Sequence, residues 1–508
     1  MITRIRVKNF KRFQDVNVEL GKTSVFIGPN NSGKTTLLQA LALWQAGLQR
    51  WNEERKGKSS PEKRPGVTIN RNDLISIPTP DANLLWRNLH VRNQETVNGK
   101  RGTKNIRLDI VVDGIKDDKK WSCGFEFDYA NSESFYCRPL RLTDDDQPQR
   151  MSVPAEVSDI RIAFLPPMSG LAGTEPKWEP GRINVLLGEG QTAQVLRNLC
   201  FSIFQRELPA DWGKLVEHIR SLFGVELLPP NYVKERGEIS MAYKENTGAH
   251  LDLSSSGRGL QQTLLLLAYL YSKSKTILLL DEPDAHLEVL RQRQIYQLLT
   301  EISEKQGCQV IAASHSEIVL NEAAGRDVVI AFVGKPHRID DRGSQVLKAL
   351  TEIGFDQYYL AEQTGWALYL EGSTDLAILR ELAKILGHEA AAFLEKPFFR
   401  PVANQPQKAR DHFFGLKEAK KDLVGIAIFD RLDKNLADGT DLKEIMWKRR
   451  EIENYICTEE VLLAFARHSH NLPMDNLFAQ AETNKREAAM REAIQEISEA
   501  LKKLKRLN

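Results

Sequence analysis

The stretch Gly28-Pro29-Asn30-Asn31-Ser32-Gly33-Lys34-Thr35 has the form G-x-x-x-x-G-K-[ST]. Residues 23–27 before it are a β-branched and aromatic run, and residues 36–48 after it carry leucines at helical spacing. A strand, a glycine-rich loop and a helix in this order form the setting in which the motif holds phosphate. The glycines permit close backbone approach, and the loop N–H groups and the helix N-terminus face an anion. The stretch therefore predicts a nucleotide site; the alternative is a chance glycine-rich turn.

Two side chains of this loop have expected roles in nucleotide chemistry. Lys34 is expected to reach the β- and γ-phosphates, and the Thr35 hydroxyl is expected to ligate Mg²⁺. The residues expected to contact the nucleotide are Asn30, Asn31, Ser32, Gly33, Lys34, Thr35 and Thr36.

Composition and length indicate a globular protein of more than one domain. The 508 residues exceed one ordinary domain, and 42% hydrophobic with 27% charged residues is typical of a soluble chain. A net charge of +2 neither favours nor excludes nucleic acid, so any basic surface must be local. The five cysteines form no C-x-x-C pair, and no signal peptide or membrane-length apolar run is present. We expect a cytoplasmic protein without a membrane partner.

Two carboxylates and a histidine follow apolar runs further along the chain. Residues 276–280 end in Asp281-Glu282, and residues 310–314 end in His315. Asp281 is expected to hold Mg²⁺ through water and Glu282 to polarise the attacking water. His315 resembles in its position the switch histidine of ABC-type ATPases, and that resemblance implies a γ-phosphate sensor. The alternatives are a capping role for Asp281 and an unremarkable histidine at a strand end. The order of these residues in the chain favours the functional interpretation.

A serine- and glycine-rich loop lies between these motifs. Residues 253–262 read Leu-Ser-Ser-Ser-Gly-Arg-Gly-Leu-Gln-Gln and precede an apolar helix over 264–271. Serine hydroxyls and glycine N–H groups at a helix start can hold a γ-phosphate. Taken alone, such a loop is more often a linker. Its position among the other motifs favours nucleotide contacts from Ser255, Ser256, Gly257 and Gly259.

The ordered motifs resemble those of ABC-type ATPases of the SMC-like branch. Short strands carrying Lys8-Asn9-Phe10 precede the phosphate loop, as in that branch. The resemblance implies an α/β P-loop domain over 1–335, with an insertion and a helical lobe at about 50–250. It also implies a homodimer or higher homo-oligomer, in which the serine-glycine loop of one protomer faces ATP bound to the other. No glutamine occurs in 166–171, where the Q-loop of such ATPases is expected, and no heptad run is long enough for a coiled-coil arm.

A second group of acidic residues follows predicted strands near the C-terminus. The strand 366–370 leads into Glu371-Gly372-Ser373-Thr374-Asp375 and a helix over 376–386. The strand 424–429 leads into Asp430 and Asp433. Acidic residues at the ends of two strands in a βα setting suggest a metal cluster for phosphodiester chemistry.

This pattern resembles a TOPRIM domain, which has strand-E-G-x-x-D-helix and then strand-D-x-D. The resemblance implies Mg²⁺ or Mn²⁺ held by Glu371, Asp375, Asp430 and Asp433, with Glu371 also a candidate general base. Two residues separate Asp430 and Asp433, where the family has one. The implied organisation is a connector at 336–365, a TOPRIM-like domain at 366–470 and a helical segment at 471–508.

Residues 449–456 resemble the R-x-x-E-N-Y segment of some TOPRIM-like defence proteins. Glu453 could complete the metal site and Arg450 could contact phosphate. A surface helix with charge pairs is an equal alternative. Residues 479–507 favour a packing or dimer helix over a nucleic-acid arm.

An ABC-type ATPase followed by TOPRIM is the layout of the OLD (overcoming lysogenisation defect) nuclease family, and the anti-phage systems Gabija and PARIS use related parts. The resemblance implies an ATP-regulated, metal-dependent DNA endonuclease of bacterial defence, with a second defence subunit as a possible partner. One alternative is an ATP-driven sensor or scaffold whose second domain binds a partner or nucleic acid without cutting. Another is a DNA-repair ATPase of the SMC-like branch.

Overall fold

The computed structural model describes residues 1–55, 66–74, 76–77, 79–97, 100–143, 149–206, 210–245, 247–339, 353–433, 436–468 and 477–503. The chain forms two compact units, Met1–Phe355 and Asp356–Asn508. Among the described residues, no helix is both long enough and apolar enough to cross a membrane.

The described residues of the first unit contain nineteen strands, β1–β19, and seven α-helices, α1–α7. Its strands are β1 (Ile2–Phe10), β2 (Phe13–Glu19), β3 (Thr23–Ile27), β4 (Val67–Asn70), β5 (Arg92–Val97), β6 (Lys100–Asn105), β7 (Leu108–Lys116), β8 (Lys119–Asn131), β9 (Ser134–Pro139), β10 (Ile162–Leu165), β11 (Glu226–Leu227), β12 (Asn231–Val233), β13 (Glu238–Ser240), β14 (Ala242–Lys244), β15 (His250–Asp252), β16 (Ile277–Asp281), β17 (Gln309–Ser314), β18 (Val328–Ala331) and β19 (His337–Arg338). Its helices are α1 (Lys34–Arg55), α2 (Pro180–Gly188), α3 (Leu196–Phe204), α4 (Ala210–Phe223), α5 (Arg258–Ser272), α6 (Val289–Lys305) and α7 (Glu317–Ala323).

Two six-stranded sheets organise this unit. One is antiparallel, with the order β2-β1-β7-β8-β9-β4. The other has the order β10-β16-β17-β3-β18-β19 and is parallel except at β19. In the parallel sheet Asp281 pairs with Ala313, and Ser314 pairs with Ile27. The carboxyl ends of β16, β17 and β3 therefore lie side by side, which is where ligands bind in sheets of this kind.

Strand alternation divides the core of this unit into two clusters. Ile277 and Leu279 face one cluster, which also contains the apolar side of α1 and the antiparallel sheet. Leu278 and Leu280 face the other, which contains α3, α4 and α5. Because neighbouring strand residues point to opposite faces, the uninterrupted run 277–280 suits a strand that is covered on both sides.

The region predicted as an insertion and a helical lobe, at about 50–250, contains α2, α3 and α4 and two small sheets, β11-β14-β15 and β12-β13. Residues 192–194, just before α3, form a 3₁₀ turn.

The second unit is built on a four-stranded sheet. Its helices are α8 (Phe355–Thr364), α9 (Ser373–Ile385), α10 (Ala390–Glu395), α11 (Pro406–Ala419), α12 (Glu459–His468) and α13 (Leu477–Lys503), and its strands are β20 (Trp366–Leu370), β21 (Phe399–Pro401), β22 (Val424–Phe429) and β23 (Leu442–Met446). The strand order β21-β20-β22-β23 is parallel throughout. The predicted strands at 366–370 and 424–429 are confirmed, and the carboxyl ends of β20 and β22 are neighbours.

Three further segments of this region can be compared with their predictions. Helix α8 begins within 336–365, the stretch predicted as a connector, of which 340–352 lie outside the described residues. The segment 449–456 contains a 3₁₀ turn, Ile452–Tyr455, instead of a surface α-helix. The C-terminal helix predicted over 479–507 is present as α13, and 504–508 lie outside the described residues.

Candidate functional site

The phosphate loop adopts backbone geometry that depends on its glycines. Gly28 has φ +154° and Gly33 has φ +108°, and Asn31 is also left-handed at φ +60°. A Cβ on Gly28 would lie 2.8 Å from the Phe332 carbonyl oxygen, and one on Gly33 would lie 2.8 Å from the Phe13 ring. These two positions therefore require glycine on both conformational and steric grounds.

Lys34 lies at the start of α1 and is only 5% exposed. Its Nζ donates to the carbonyl oxygens of Gly28 at 2.8 Å and Pro29 at 2.9 Å. Burial lowers the pKa of Lys34, and the nearby carboxylates of Glu282 and Asp281 oppose that shift. The loop thus holds an ammonium group against its own backbone at the sheet edge, within reach of the acidic residues.

Thr35 and Asp281, the two residues expected to hold Mg²⁺, are in hydrogen-bond contact. The Thr35 hydroxyl donates to the Asp281 carboxylate, and its Oγ1 lies 3.0 Å from Oδ1 and 2.9 Å from Oδ2. Burial raises the pKa of Asp281 to about 6, and the hydrogen bond from Thr35 acts against it. A hydroxyl and a carboxylate supply the oxygen ligands that Mg²⁺ prefers, so these residues fit the ion.

Glu282 departs from the geometry of the strand that precedes it. Its φ of +49° is left-handed, and its N–H donates to the Ala313 carbonyl at 2.8 Å. Glu282 Oε1 lies 3.7 Å from Nδ1 of His315. Left-handed backbone at a non-glycine residue is strained and is concentrated at functional sites. The turn places Glu282, the predicted base, next to His315, the predicted phosphate sensor.

A cavity of about 750 Å³ opens beside these residues. Its lining includes Glu282, Asp284, His315 and, from the segment after β10, Pro167 and Met168. Asp284 is buried, which raises its pKa. Pro167 and Met168 belong to 166–171, the stretch where the Q-loop is expected from the sequence.

The serine-glycine loop forms a capped, outward-facing turn. Asp252 Oδ1 accepts from Ser254 N at 2.8 Å and caps a 3₁₀ turn over Leu253–Ser255. The Ser255 and Ser256 hydroxyls donate to local carbonyl oxygens, and Gly257 is the N-cap of α5, with open space around it. Of the described residues, those at 253–259 do not line the cavity at Glu282. Ser255 and Gly257 are exposed, so the loop faces outward in the single chain.

Two family models cover most of this unit. Residues 1–97 match the model described as "AAA ATPase domain", and residues 101–321 match "AAA domain, putative AbiEii toxin, Type IV TA system". The first unit contains an AAA-type ATPase domain. A nucleotide, ordinarily with Mg²⁺, is the ligand that this ATPase domain binds.

Other similarities to the chain are more limited. An OLD nuclease of Thermus scotoductus (strain ATCC 700910 / SA-01) is 44% identical over 43 residues, which are 8% of this chain and 8% of that relative. The SMC head domain from Thermotoga maritima matches with 14% identity and a TM-score of 0.35, covering 66% of this chain and 98% of that chain. The recombination mediator protein RecF-ATPrS of the RecFOR pathway matches with 13% identity and a TM-score of 0.34, covering 67% of this chain and 98% of that chain.

In the second unit, the acidic residues at the ends of β20 and β22 lie together. Glu371 and Asp430 share a side-chain hydrogen bond, which raises the pKa of Glu371 to about 7, with burial adding to the effect. Asp375 Oδ2 accepts from the N–H groups of Glu371 at 3.1 Å and Gly372 at 3.4 Å. Burial raises the pKa of Asp375, and the charges of Asp430 and Glu453 act in the same direction.

Asn404, which sequence reasoning missed, orients Asp430. Its Nδ2 donates to Asp430 Oδ2 at 2.9 Å, and its Oδ1 accepts from Asp430 N at 3.0 Å. Asn404 and its neighbour Ala403 both have left-handed backbone, at φ +54° and +48°. An alanine-asparagine pair before a helix gives little indication in the sequence of such a role.

The 449–456 segment also approaches these acidic residues. The Arg450 carbonyl accepts from Arg431 N at 2.9 Å, which ties the segment to the loop after β22. Asp433 is exposed, and among the described residues it shares no hydrogen bond or ion pair with Glu371, Asp375 or Asp430. Within the described part of the chain, no three His, Cys, Asp or Glu side chains are arranged as a metal site. Asp375 instead stabilises the turn into α9.

Proposed function

We propose that this protein is an ATP-controlled, metal-dependent DNA endonuclease of the OLD type, acting in bacterial defence. The ATPase domain is the control element, and the second unit is the nuclease. The observation that carries the proposal is that parallel pairing of β20 and β22 brings Glu371 and Asp430 to neighbouring strand ends, where Asp430 raises the pKa of Glu371 to about 7. The 43-residue similarity to an OLD nuclease supports the same assignment.

The shared hydrogen bond supports a site for a divalent cation. Two carboxylates that lie this close cannot both ionise at low cost, so one keeps a proton. A divalent cation can replace that proton, because its charge is balanced by both carboxylates. Glu371 and Asp430 would then become ligands, and a rotation of the Asp375 side chain away from the N–H groups of Glu371 and Gly372 would add a third carboxylate. Mg²⁺ or Mn²⁺ held there would activate water and stabilise the leaving oxygen of a phosphodiester.

In the ATPase domain, Lys34 would bind the phosphates, Thr35 and Asp281 would hold Mg²⁺, and Glu282 would polarise the attacking water. The outward-facing loop at 253–259 supports a dimer in which it contacts ATP on the partner protomer. ATP-driven pairing of two protomers would bring two nuclease units to one DNA duplex.

Plasmid cleavage tests the nuclease proposal. Supercoiled plasmid is incubated with the purified protein, ATP, and Mg²⁺ or Mn²⁺. Glu371→Ala and Asp430→Asn are expected to abolish nicking. Asp422→Asn removes an exposed carboxylate of the same unit and is expected to leave nicking unchanged. No cleavage above the level of Glu371→Ala would contradict the proposal.

A second candidate is an ATP-driven sensor or scaffold whose second unit binds DNA or a partner without cutting. The exposed position of Asp433 and the lack of a three-ligand group among the described residues favour it. ATP-dependent DNA binding by the wild type, without nicking in either metal, is the result expected from this candidate. Asp433→Asn tests the remaining predicted ligand, since loss of cleavage would place Asp433 in the metal-loaded site.

A further inference from the structure

The linker formed by residues 166–173 connects the catalytic cavity to the helical lobe. It begins directly after β10, and its Pro167 and Met168 line the cavity with Glu282 and His315. Its sequence contains no glutamine that could follow the state of the nucleotide. The hydrogen bonds that hold the linker come from other elements, among them Gln262, Arg197 and Thr192.

The first of these contacts comes from the helix that follows the serine-glycine loop. Gln262 lies on α5, five residues beyond Gly257, and is 1% exposed. Its Oε1 accepts from Met168 N at 3.1 Å, in a buried setting. The backbone of the linker is thus bonded to the helix whose first turn is the serine-glycine loop.

The second contact is made by a buried arginine. Arg197 is 1% exposed, and its Nη1 donates to the Ala172 carbonyl at 2.8 Å. Its Nη2 donates to Asp252 Oδ1 at 3.1 Å, the same oxygen that caps the 3₁₀ turn at Ser254. Arg197 therefore joins the far end of the linker to the start of the serine-glycine loop.

Glu175 fixes the position of this arginine. It is fully buried, and its carboxylate accepts from Arg197 N at 2.9 Å and from Asn198 N at 2.6 Å. A further bond comes from Asn198 Nδ2 at 2.7 Å. A buried charge with these partners has one low-energy position, so the Arg197 backbone has little freedom to follow the linker independently.

These hydrogen bonds make displacement of the linker costly unless α5 and the loop move with it. A buried donor or acceptor that loses its partner carries the full desolvation penalty, whereas apolar contacts can slide with smaller losses. A displacement of Pro167 and Met168, which line the cavity with Glu282 and His315, would therefore break these hydrogen bonds if the linker moved alone. The cheaper response is a joint movement of the linker, α5 and the loop at 253–259.

We propose that Gln262 and Arg197 are positioning residues that couple the state of the nucleotide, at Glu282 and His315, to the serine-glycine loop. Gln262 supplies, from the helix, the coupling contact that the linker sequence lacks. The inference rests on the proposed ATP-bound dimer, because the loop acts on the nucleotide of the partner protomer. Nucleotide binding within one protomer needs neither residue, since neither belongs to the phosphate loop.

Gln262→Met tests the first contact, with Gln45→Met as the matched control. Gln45 is also a buried glutamine whose Oε1 accepts one backbone N–H, from Ile162 at 2.8 Å, and it does not touch α5 through that bond. Both variants lose one buried hydrogen bond with little change in volume. ATP affinity, the ATP hydrolysis rate, and ATP-dependent dimerisation in a Glu282→Gln background are measured, together with the melting temperature.

Gln262→Met is expected to slow hydrolysis by roughly 3- to 30-fold and to weaken ATP-dependent dimerisation, with unchanged ATP affinity. Gln45→Met is expected to lower the melting temperature comparably without the kinetic effect. Equal effects of the two variants would overturn the inference. A wild type that binds ATP but never dimerises would instead remove the proposed dimer, and the inference with it.

Asp252→Ala provides a second test at a side chain that lies outside the buried core. Asp252 is about half exposed, and the substitution removes the acceptor that links Arg197 to the loop. Asp252→Asn retains an acceptor oxygen at this position. Hydrolysis reduced in Asp252→Ala and restored in Asp252→Asn supports the coupling, whereas wild-type rates in Asp252→Ala contradict it.

Discussion

Thr35 Oγ1 lies 2.9 Å from Asp281 Oδ2, although β17 separates the strands that lead to these two residues. The hydroxyl reaches across because α1 begins at Lys34, directly above the sheet edge. The pair links the phosphate loop to the end of β16 and defines where Mg²⁺ would lie. Replacing Asp281 with asparagine keeps an acceptor for Thr35 but removes the charge.

For Asp281→Asn we expect the Mg²⁺ concentration for half-maximal ATP hydrolysis to rise at least about 10-fold. The loss of negative charge weakens the binding of Mg²⁺ more than it disturbs the hydrogen bond from Thr35. Hydrolysis is measured across a Mg²⁺ titration, with Asp159→Asn as an exposed control in the same unit. An unchanged Mg²⁺ dependence would remove Asp281 from the metal site.

Glu282→Gln should slow ATP hydrolysis by about 10²- to 10⁴-fold while ATP binding persists. The amide keeps the shape of the side chain but cannot accept a proton from water. Glu317→Gln is the control, because Glu317 lines the same cavity from α7. The measurements are phosphate release and nucleotide affinity, and wild-type turnover in Glu282→Gln would show that another group is the base.

Asn404→Gly should weaken Mn²⁺ binding to the second unit by about 10-fold or more. Glycine tolerates the left-handed backbone, so the change removes the amide bonds to Asp430 without adding strain. Ala403→Gly is the matched control, since its backbone is also left-handed and it lacks a polar side chain. Isothermal titration with Mn²⁺ compares the variants, and equal affinities would separate Asn404 from the acidic cluster.

Gln309 joins the antiparallel sheet to the parallel one. Its Oε1 accepts from Ile2 N at 2.8 Å, and its Nε2 donates to the carbonyls of Ile2 at 2.6 Å and Gly21 at 2.7 Å. Gln309→Leu leaves buried backbone groups without partners and should cost about 3 kcal/mol of stability. Gln297→Leu, at an exposed glutamine, should have little effect on stability. Thermal unfolding of the two variants tests this difference.

Asp109 gives a pH-dependent prediction. Burial raises its pKa to about 6 from 3.8, and its Oδ1 is buried without a hydrogen bond. Between pH 4 and 6 the unfolded state loses the proton and the folded state keeps it, so the contribution of Asp109 to stability falls as the pH rises. Above pH 6 the deficit is constant.

Asp109→Asn, which stays neutral, should therefore gain stability over the wild type as the pH rises from 4 to 6. The gain should level off above pH 6, at a melting-temperature difference of about 2–6 °C. Asp15→Asn, an exposed strand residue, should show no such trend. A difference that is the same at pH 4.5 and 7.5 would contradict the assigned shift.

Local sequence was enough to predict the elements that carry the chemistry. The loop at 28–35, the run ending at Asp281-Glu282 and the strand before Glu371 each have a pattern whose physical cause lies within a few residues: glycine geometry, apolar periodicity or a strand ending in carboxylates. These predictions did not depend on distant parts of the chain.

Tertiary structure decided which of these residues meet. Parallel pairing brings Asp281, Glu282 and His315 to one edge, and it places Glu371 beside Asp430. Asn404 and Gln262 could not be recognised in the sequence, because an amide gains its role only from the backbone group that folding places opposite it. The phosphate loop was determined by its own eight residues, whereas its connection to the serine-glycine loop depends on hydrogen bonds between segments that only the packed structure brings together.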